Sequence, residues 1–214
     1  LMLLDEPTSS LDPELVGGVL EVIRKAYPYV VAGRDVLESS LCNINAMFHP
    51  PGVVLNAGWI EHTGGDFRFY YDGVTPAIGK VIRMVDEERL AVAKAYGLEL
   101  DNFCTVLYNA GSTTKEAAEA NDPYKACQES EANKFIKAPP SLDHRYMHED
   151  IGSGLLPIAE LGRLAGVPTP VTDAHVTLSE AMMGRDYHAE GVNLEKMGLD
   201  GKTIEQVLDY VTRG

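Results

Sequence analysis

Apolar residues recur at helical spacing over most of this chain. Asp12-Pro13-Glu14 places a capping residue, a proline at the first helical position and an acid in the first turn, and Leu15, Val19, Val22 and Ile23 then share one face. Val36, Leu37, Leu41, Ile44 and Phe48 mark a second amphipathic stretch. That stretch is predicted to stop near His49, because Pro50 and Pro51 cannot donate to the helix ladder. Another apolar run, Val53 to Ile60, restarts after Gly52. Thr75-Pro76 reads as an N-cap and first-turn proline opening a long helix through Ala95, with Ile78, Val81, Ile82, Val85 and Val92 facing inward and Gly97 ending it. Ile151 to Leu164 is apolar at helical spacing, and the joint Gly166 to Pro170 again places Thr169 and Pro170 at cap and first-turn positions. Val171 to Met183 follows as a helix ended by Gly184. The last helix runs from Lys202 to Thr212, with Ile204, Val207, Leu208 and Val211 on one face.

Extended signals are few. Leu1 to Leu4 reads as a short buried strand, followed by the polar turn Pro7-Thr8-Ser9-Ser10. Phe67 to Tyr71 is an aromatic segment compatible with extended backbone. Phe103 to Ala110 is a short apolar piece. Residues 112–144 are polar, broken at Asn121-Asp122-Pro123 and Pro139-Pro140, and fit short helices and loops. The predicted fold class is therefore mainly α, a helical domain over residues 27–214 preceded by a strand–turn–helix piece over residues 1–26. No internal repeat or low-complexity tract interrupts it.

Composition narrows the function classes. The 214 residues carry a net charge of −14, which disfavours nucleic-acid and anionic-membrane surfaces as partners. No run approaches the length of a membrane span, and Leu1 to Leu4 runs too soon into Asp5 and Glu6 for a secretory signal. Cys42, Cys104 and Cys127 are odd in number and widely spaced, the pattern of reduced thiols in a cytoplasmic protein. His144 and His148 stand four apart, but no matching ligands lie nearby, and no metal site is expected.

The candidate chemistry lies in Arg145-Tyr146-Met147-His148-Glu149-Asp150, read with His49-Pro50-Pro51. A histidine, an acid and an arginine are the parts needed to move a proton and hold a carboxylate. The two prolines would leave His49 at a helix end beside a cleft. Arg145 and Asp150 are five apart rather than four, so they must converge from a bend or a first turn, where a helix N-terminus would favour the Asp150 charge. Each residue also has a plainer reading: His49 as a helix-end residue, Arg145 and Asp150 as members of surface ion pairs. Trp59 and the Phe67–Tyr71 aromatics suit core packing, with contact to a substrate side chain as the alternative. Asn43 or Asn45 could face substrate or only the helix surface. Asp186 fits a structural place at a helix C-terminus.

Two resemblances refine this picture. LMLLDEPTSSLDPELVGGVLEVIRK, residues 1–25, resembles the Walker B and D-loop region of ABC transporter ATPases, with Asp5 and Glu6 at the magnesium-binding and catalytic acid positions and Ser10-Leu11-Asp12 as the D-loop. ATP binding also needs a glycine-rich phosphate loop, and no GxxxxGK[ST] occurs in the chain. The segment reads as a fragment, and an ABC ATPase function as a remote alternative.

DVLESSLCNINAMFHPPGVVLNAGWIE (35–61), RYMHEDIGSGLLPIAELGRLAGVPTP (145–170) and GRDY (184–187) together resemble the C-terminal helical domain of the octopine/nopaline (opine) dehydrogenases. That family condenses an amino acid with a 2-oxo acid and reduces the imine with NADH or NADPH. The resemblance implies His49 as the general acid/base, Asp150 as its acid partner and Arg145 as the binder of a substrate carboxylate. His148 departs from the small polar residue usual in relatives, and is read as tuning substrate choice or as solvated. Family members carry a Rossmann domain before this one, yet no GxGxxG occurs here. The expectation is a catalytic-residue domain inactive without its cofactor domain, joined to a foreign N-terminal piece. It would be cytoplasmic and would use small-molecule substrates, with a homodimer as the assembly to test. A non-catalytic helical module for dimerisation or amino-acid binding is the alternative.

Overall fold

The computed structural model describes residues 13–28, 30 and 32–213, and among these it forms helices and turns without a strand. The strand expected at Leu1 to Leu4, the acids Asp5 and Glu6 and the D-loop positions lie outside the described residues. Helix α1 (Pro13–Ala26) matches the sequence expectation.

The centre of the domain is α5 (Pro76–Ala95). Thr75 Oγ1 accepts from the Ile78 amide at 3.3 Å and caps its start, Pro76 sits in the first turn, and Gly97 turns the chain away in the left-handed conformation at φ 71°. Ile78, Ile82, Val85 and Val92 are buried along one side. Burying each such side chain contributes about 1.5–3 kcal/mol before ordering costs. Against α5 pack α2 (Val36–Leu41), α3 (Asn45–Val54), α8 (Pro123–Gln128), α10 (Leu156–Ala165) and α11 (Pro170–Met183). The buried face of α5 also carries Asp86 and Arg89. The Arg89 guanidinium donates to Asp86 at 2.7 Å and to the carbonyls of Leu41 and Asp101, while Asp86 also accepts from the Phe103 amide. One buried ion pair thereby ties α2, α5 and the start of α6 (Phe103–Asn109) together.

Two expectations about helix ends change. The stretch from Val36 to Phe48 is two helices, separated at Cys42–Ile44. Pro50 and Pro51 do not stop α3, which continues to Val54 with both prolines inside it. Each interior proline costs a helix bond and about 3 kcal/mol. The offset is burial, since every residue from Ala46 to Val54 is buried. A separate α4 (Ala57–Thr63) follows.

Residues 67–73 form turns rather than a strand. They make one isolated antiparallel bridge, Arg68 to Lys137, in which the Phe69 amide donates to Ile136 and the Ala138 amide to Phe67. Residues 112–144 hold α7 (Lys115–Glu119), α8 and a 3₁₀ turn at Glu131–Asn133, as their polar, proline-broken texture predicts. The helical stretch predicted over Ile151 to Leu164 begins earlier, at Arg145, and is not uniform. It consists of α9 (Arg145–Asp150), a π-helical turn (Ile151–Leu155) and α10.

At α11 the cap comes from elsewhere. Thr169 makes no side-chain cap, and Glu88 of α5 instead accepts from the Val171 and Thr172 amides at 2.8 Å each. Asp186 differs from expectation as well: its Oδ1 accepts from the Ala189 amide at 2.9 Å, so it caps the start of α12 (Tyr187–Glu190). Finally, α13 (Ile204–Arg213) closes the described chain.

Candidate active site

His49 sits in the middle of α3, and Asp150 is the last residue of α9, just before the π turn. The two helices pack side by side and bring together side chains 101 residues apart in sequence. The His49 Nδ1 is 2.8 Å from Asp150 Oδ2, with only 7% and 12% of the two side chains exposed. Beside an ionised carboxylate, Nδ1 carries the proton and donates it, which leaves Nε2 as the nitrogen free for chemistry. The helix N-terminus expected beneath Asp150 is not there, because Asp150 ends α9 and the backbone continues into the π turn. A π turn inserts an extra residue per turn and re-aims the side chains around it. Small residues make this approach possible: a Cβ on Gly154 would lie 2.6 Å from the Ala46 Cβ on α3.

The His49 ring is enclosed by aromatics. Tyr146 stacks on it with centroids 3.6 Å apart and planes 13° off parallel, and Phe48 meets it edge-on at 5.9 Å. Tyr70 stacks on Phe48 at 4.5 Å and places its hydroxyl 3.3 Å from His49 Nε2. Phe69, fully buried, holds this turn down by resting its ring on Gly52 of α3, where any Cβ would meet the ring at 2.6 Å. Tyr146 has no role in the sequence expectation, and Tyr70 enters it only among the Phe67–Tyr71 aromatics, with substrate contact as the alternative to core packing. Tyr146 had a readable signal, since it lies four before Asp150 and so shares its helix face. Tyr70 had none beyond its place in the aromatic segment.

Arg145 does not join the pair. It is exposed on α9 and faces Glu149 one turn on, at 3.5 Å. The five-residue spacing from Asp150 rotates it off the Tyr146–Asp150 face. His148 points elsewhere too. Its Nδ1 offers one lone pair to two donors, Arg185 and the Tyr187 hydroxyl, each 2.9 Å away, and its Nε2 donates to Asp143 at 2.7 Å. That set of partners ties α9 to α12 rather than to His49. Asn43 turns its amide oxygen to the Asn45 backbone at 3.1 Å, a local contact. Trp59 stacks on Phe67 at 3.9 Å, away from the His49 ring contacts.

The cysteines are free, and burial pushes the Cys104 thiol up to about 12 and Cys127 higher still, which suits inert core residues rather than nucleophiles. His144 and His148 do not converge on a common ligand. Glu180, Asp186 and His188 do bring ligand atoms within 4.8 Å of one another, but they are mostly exposed, His188 already meets Glu180 at 2.9 Å and Asp186 accepts from the Ala189 amide. No helix among the described residues is long and apolar enough to cross a membrane.

Known proteins resemble this chain in sequence and in fold. Residues 32–183 match the family model described as NAD/NADP octopine/nopaline dehydrogenase, alpha-helical domain. The opine dehydrogenase of Arthrobacter sp. (strain 1C) is 38% identical over 195 residues, 91% of this chain and 53% of that protein. The tauropine dehydrogenase of Arabella iricolor is 24% identical over 186 residues, 77% of this chain and 46% of that protein. The chain thus spans about half the length of the curated relatives it matches. Among solved structures, octopine dehydrogenase with NADH and L-arginine superimposes with a TM-score of 0.70 at 18% identity, covering 99% of this chain and 57% of that one. The fold is therefore that of the octopine dehydrogenase helical domain, and the chain belongs to the NAD/NADP octopine/nopaline dehydrogenase family.

Proposed function

We propose that this chain is the substrate-handling helical domain of an oxidoreductase that condenses an amino acid with a 2-oxo acid and reduces the resulting imine with NADH or NADPH. The single observation that carries the reading is the buried His49–Asp150 pair at 2.8 Å.

Condensation needs a proton taken from the amino acid's ammonium group, so that its lone pair can attack the oxo carbon. The departing oxygen then needs two protons to leave as water, one passed over from the attacking nitrogen and one returned by the imidazolium. His49 serves both steps at Nε2, as neutral imidazole first and imidazolium afterwards. Asp150 stabilises the imidazolium through Nδ1 and keeps Nε2 as the working nitrogen. Arg145 is the binder for a substrate carboxylate. Its exposed guanidinium exchanges the weak Glu149 contact for a bidentate one, which suits a planar fork.

The described residues offer no cradle for a dinucleotide, because they contain no strand followed by a glycine-rich turn and a helix. What falls to them is the proton and the carboxylate. The reading takes residues 27–214 as the working unit and 1–26 as an appended segment, supported by a family match that begins at residue 32. It also places the protein in the cytoplasm, where its three unpaired thiols stay reduced, and treats it as a homodimer, which light scattering decides.

The test is NADH oxidation by the full-length protein. Oxidation should require an amino acid and a 2-oxo acid together, and His49→Gln should cost about 10²–10⁴-fold in kcat. Oxidation independent of either substrate, or unaffected by His49→Gln, would overturn the assignment.

A further inference from the structure

His49 is constrained from three sides, and only one of them is accounted for by the acid/base reading. The Asp150 bond fixes one edge of the ring at Nδ1. It leaves the ring free to swing in its own plane about that contact and to tilt out of it. The Tyr146 ring, stacked at 3.6 Å, blocks the tilt. The in-plane swing is opposed at the far nitrogen, where the Tyr70 hydroxyl stands 3.3 Å from Nε2.

Tyr70 is itself held firmly. Its ring lies parallel to Phe48 at 4.5 Å and 7°, and Phe69 meets it edge-on at 5.4 Å. Phe48 precedes His49 on α3, so the tyrosine is anchored to the same helix that carries the imidazole. Phe69 seats on Gly52 of α3, so the 67–73 turn is packed directly against that helix. A hydroxyl is the one group that can serve both states of the ring. It donates to Nε2 when the imidazole is neutral and accepts from Nε2–H when it is charged. Burial, with the Tyr146 hydroxyl beside it, pushes the Tyr70 phenol well above its usual value, so it keeps its proton throughout.

We propose that Tyr70 is a positioning residue for His49: its buried hydroxyl engages Nε2, so that the imidazole is aimed from both nitrogens and the working nitrogen is held in place before substrate arrives. The inference rests on the His49 acid/base reading. At 3.3 Å the contact is long, and a substrate atom can share or replace it without a large cost. The gain lies in geometry, since a small misplacement of a reacting group lowers the rate steeply.

Tyr70→Phe keeps the stack on Phe48 and removes only the hydroxyl. In the full-length enzyme it should lower kcat about tenfold while KM changes less than about twofold. In this chain the ¹⁵N resonance of His49 Nε2 should move while the melting temperature stays close to the parent's. Incorporating 3,5-difluorotyrosine at position 70 alters the acidity of the hydroxyl without altering the packing, and should move the same resonance even if Tyr70→Phe folds poorly. Unchanged kcat in Tyr70→Phe, or an Nε2 resonance indifferent to both replacements, overturns the proposal. Failure of the underlying reading looks different: there His49→Gln itself would leave turnover intact.

Discussion

Gly154 faces Ala46 so closely that a Cβ built on the glycine would stand 2.6 Å from the alanine Cβ. This contact joins the π turn to α3, and so sets the distance between the helices that carry Asp150 and His49. Gly154→Ala should force the two apart. We expect a loss of about 1–3 kcal/mol in stability from overpacking, together with a drop in kcat larger than the stability change explains. Thermal denaturation and steady-state rates at a temperature where the variant is folded check this. A variant with lowered melting temperature and full activity would show that the π turn does not position Asp150.

The buried Asp86–Arg89 pair is a structural device with no contact to His49. The Arg89 side chain is fully buried, and its partners lie on three segments. Asp86→Ala would strand that guanidinium and should cost about 3–5 kcal/mol in urea denaturation. Replacing both members with apolar residues of similar volume should recover much of the loss, because the desolvation penalty then disappears with the charges. A single-variant cost below about 1 kcal/mol would contradict the role.

His175 predicts acid sensitivity. It is buried on α11, its Nδ1 donates to the Val171 carbonyl at 2.8 Å, and its Nε2 has no partner. Burial lowers its folded value below the usual 6.5, against smaller opposing effects of the Val171 bond and Glu88. The unfolded chain then binds the proton more readily than the folded one between the two values. Stability is therefore full above about pH 6.5 and is lost as pH falls toward the folded value. His144 shifts in the same direction through burial, so the comparison that isolates His175 is the parent against His175→Gln. The variant should lose less melting temperature than the parent between pH 7.5 and pH 5. An equal loss in both would rule His175 out as the cause.

Much of the helical framework was legible because its signals are local. Thr75-Pro76 before Ile78, and Gly97 and Gly184 after their helices, mark ends through hydrogen bonds and backbone preferences confined to a few residues. The pairing of His49 with Asp150 was not local, and it was read through the resemblance of the two segments to one family. What misled was the strength given to local rules where packing prevails. Pro50 and Pro51 stay helical because the surrounding core buries all of α3 from Ala46 onward. The π turn has no signature in the apolar spacing of Ile151 to Leu164, which is why Asp150 was placed at a helix start. The convergence of Arg145 with Asp150 does not occur, because α9 is unbroken between them and the five-residue offset turns Arg145 toward Glu149, and Tyr70 could be placed beside Nε2 only by the turn at 67–73 and its seat on Gly52.

The most direct test of the account is a double-mutant cycle on His49→Gln and Asp150→Asn, read as kcat/KM for reductive condensation by the full-length protein. If the two side chains act as one proton-handling unit, Asp150→Asn alone should be severely impaired, and adding it to His49→Gln should cost almost nothing further. Losses that multiply independently, so that the double variant falls by the product of the single effects, would contradict the claim that Asp150 works through His49.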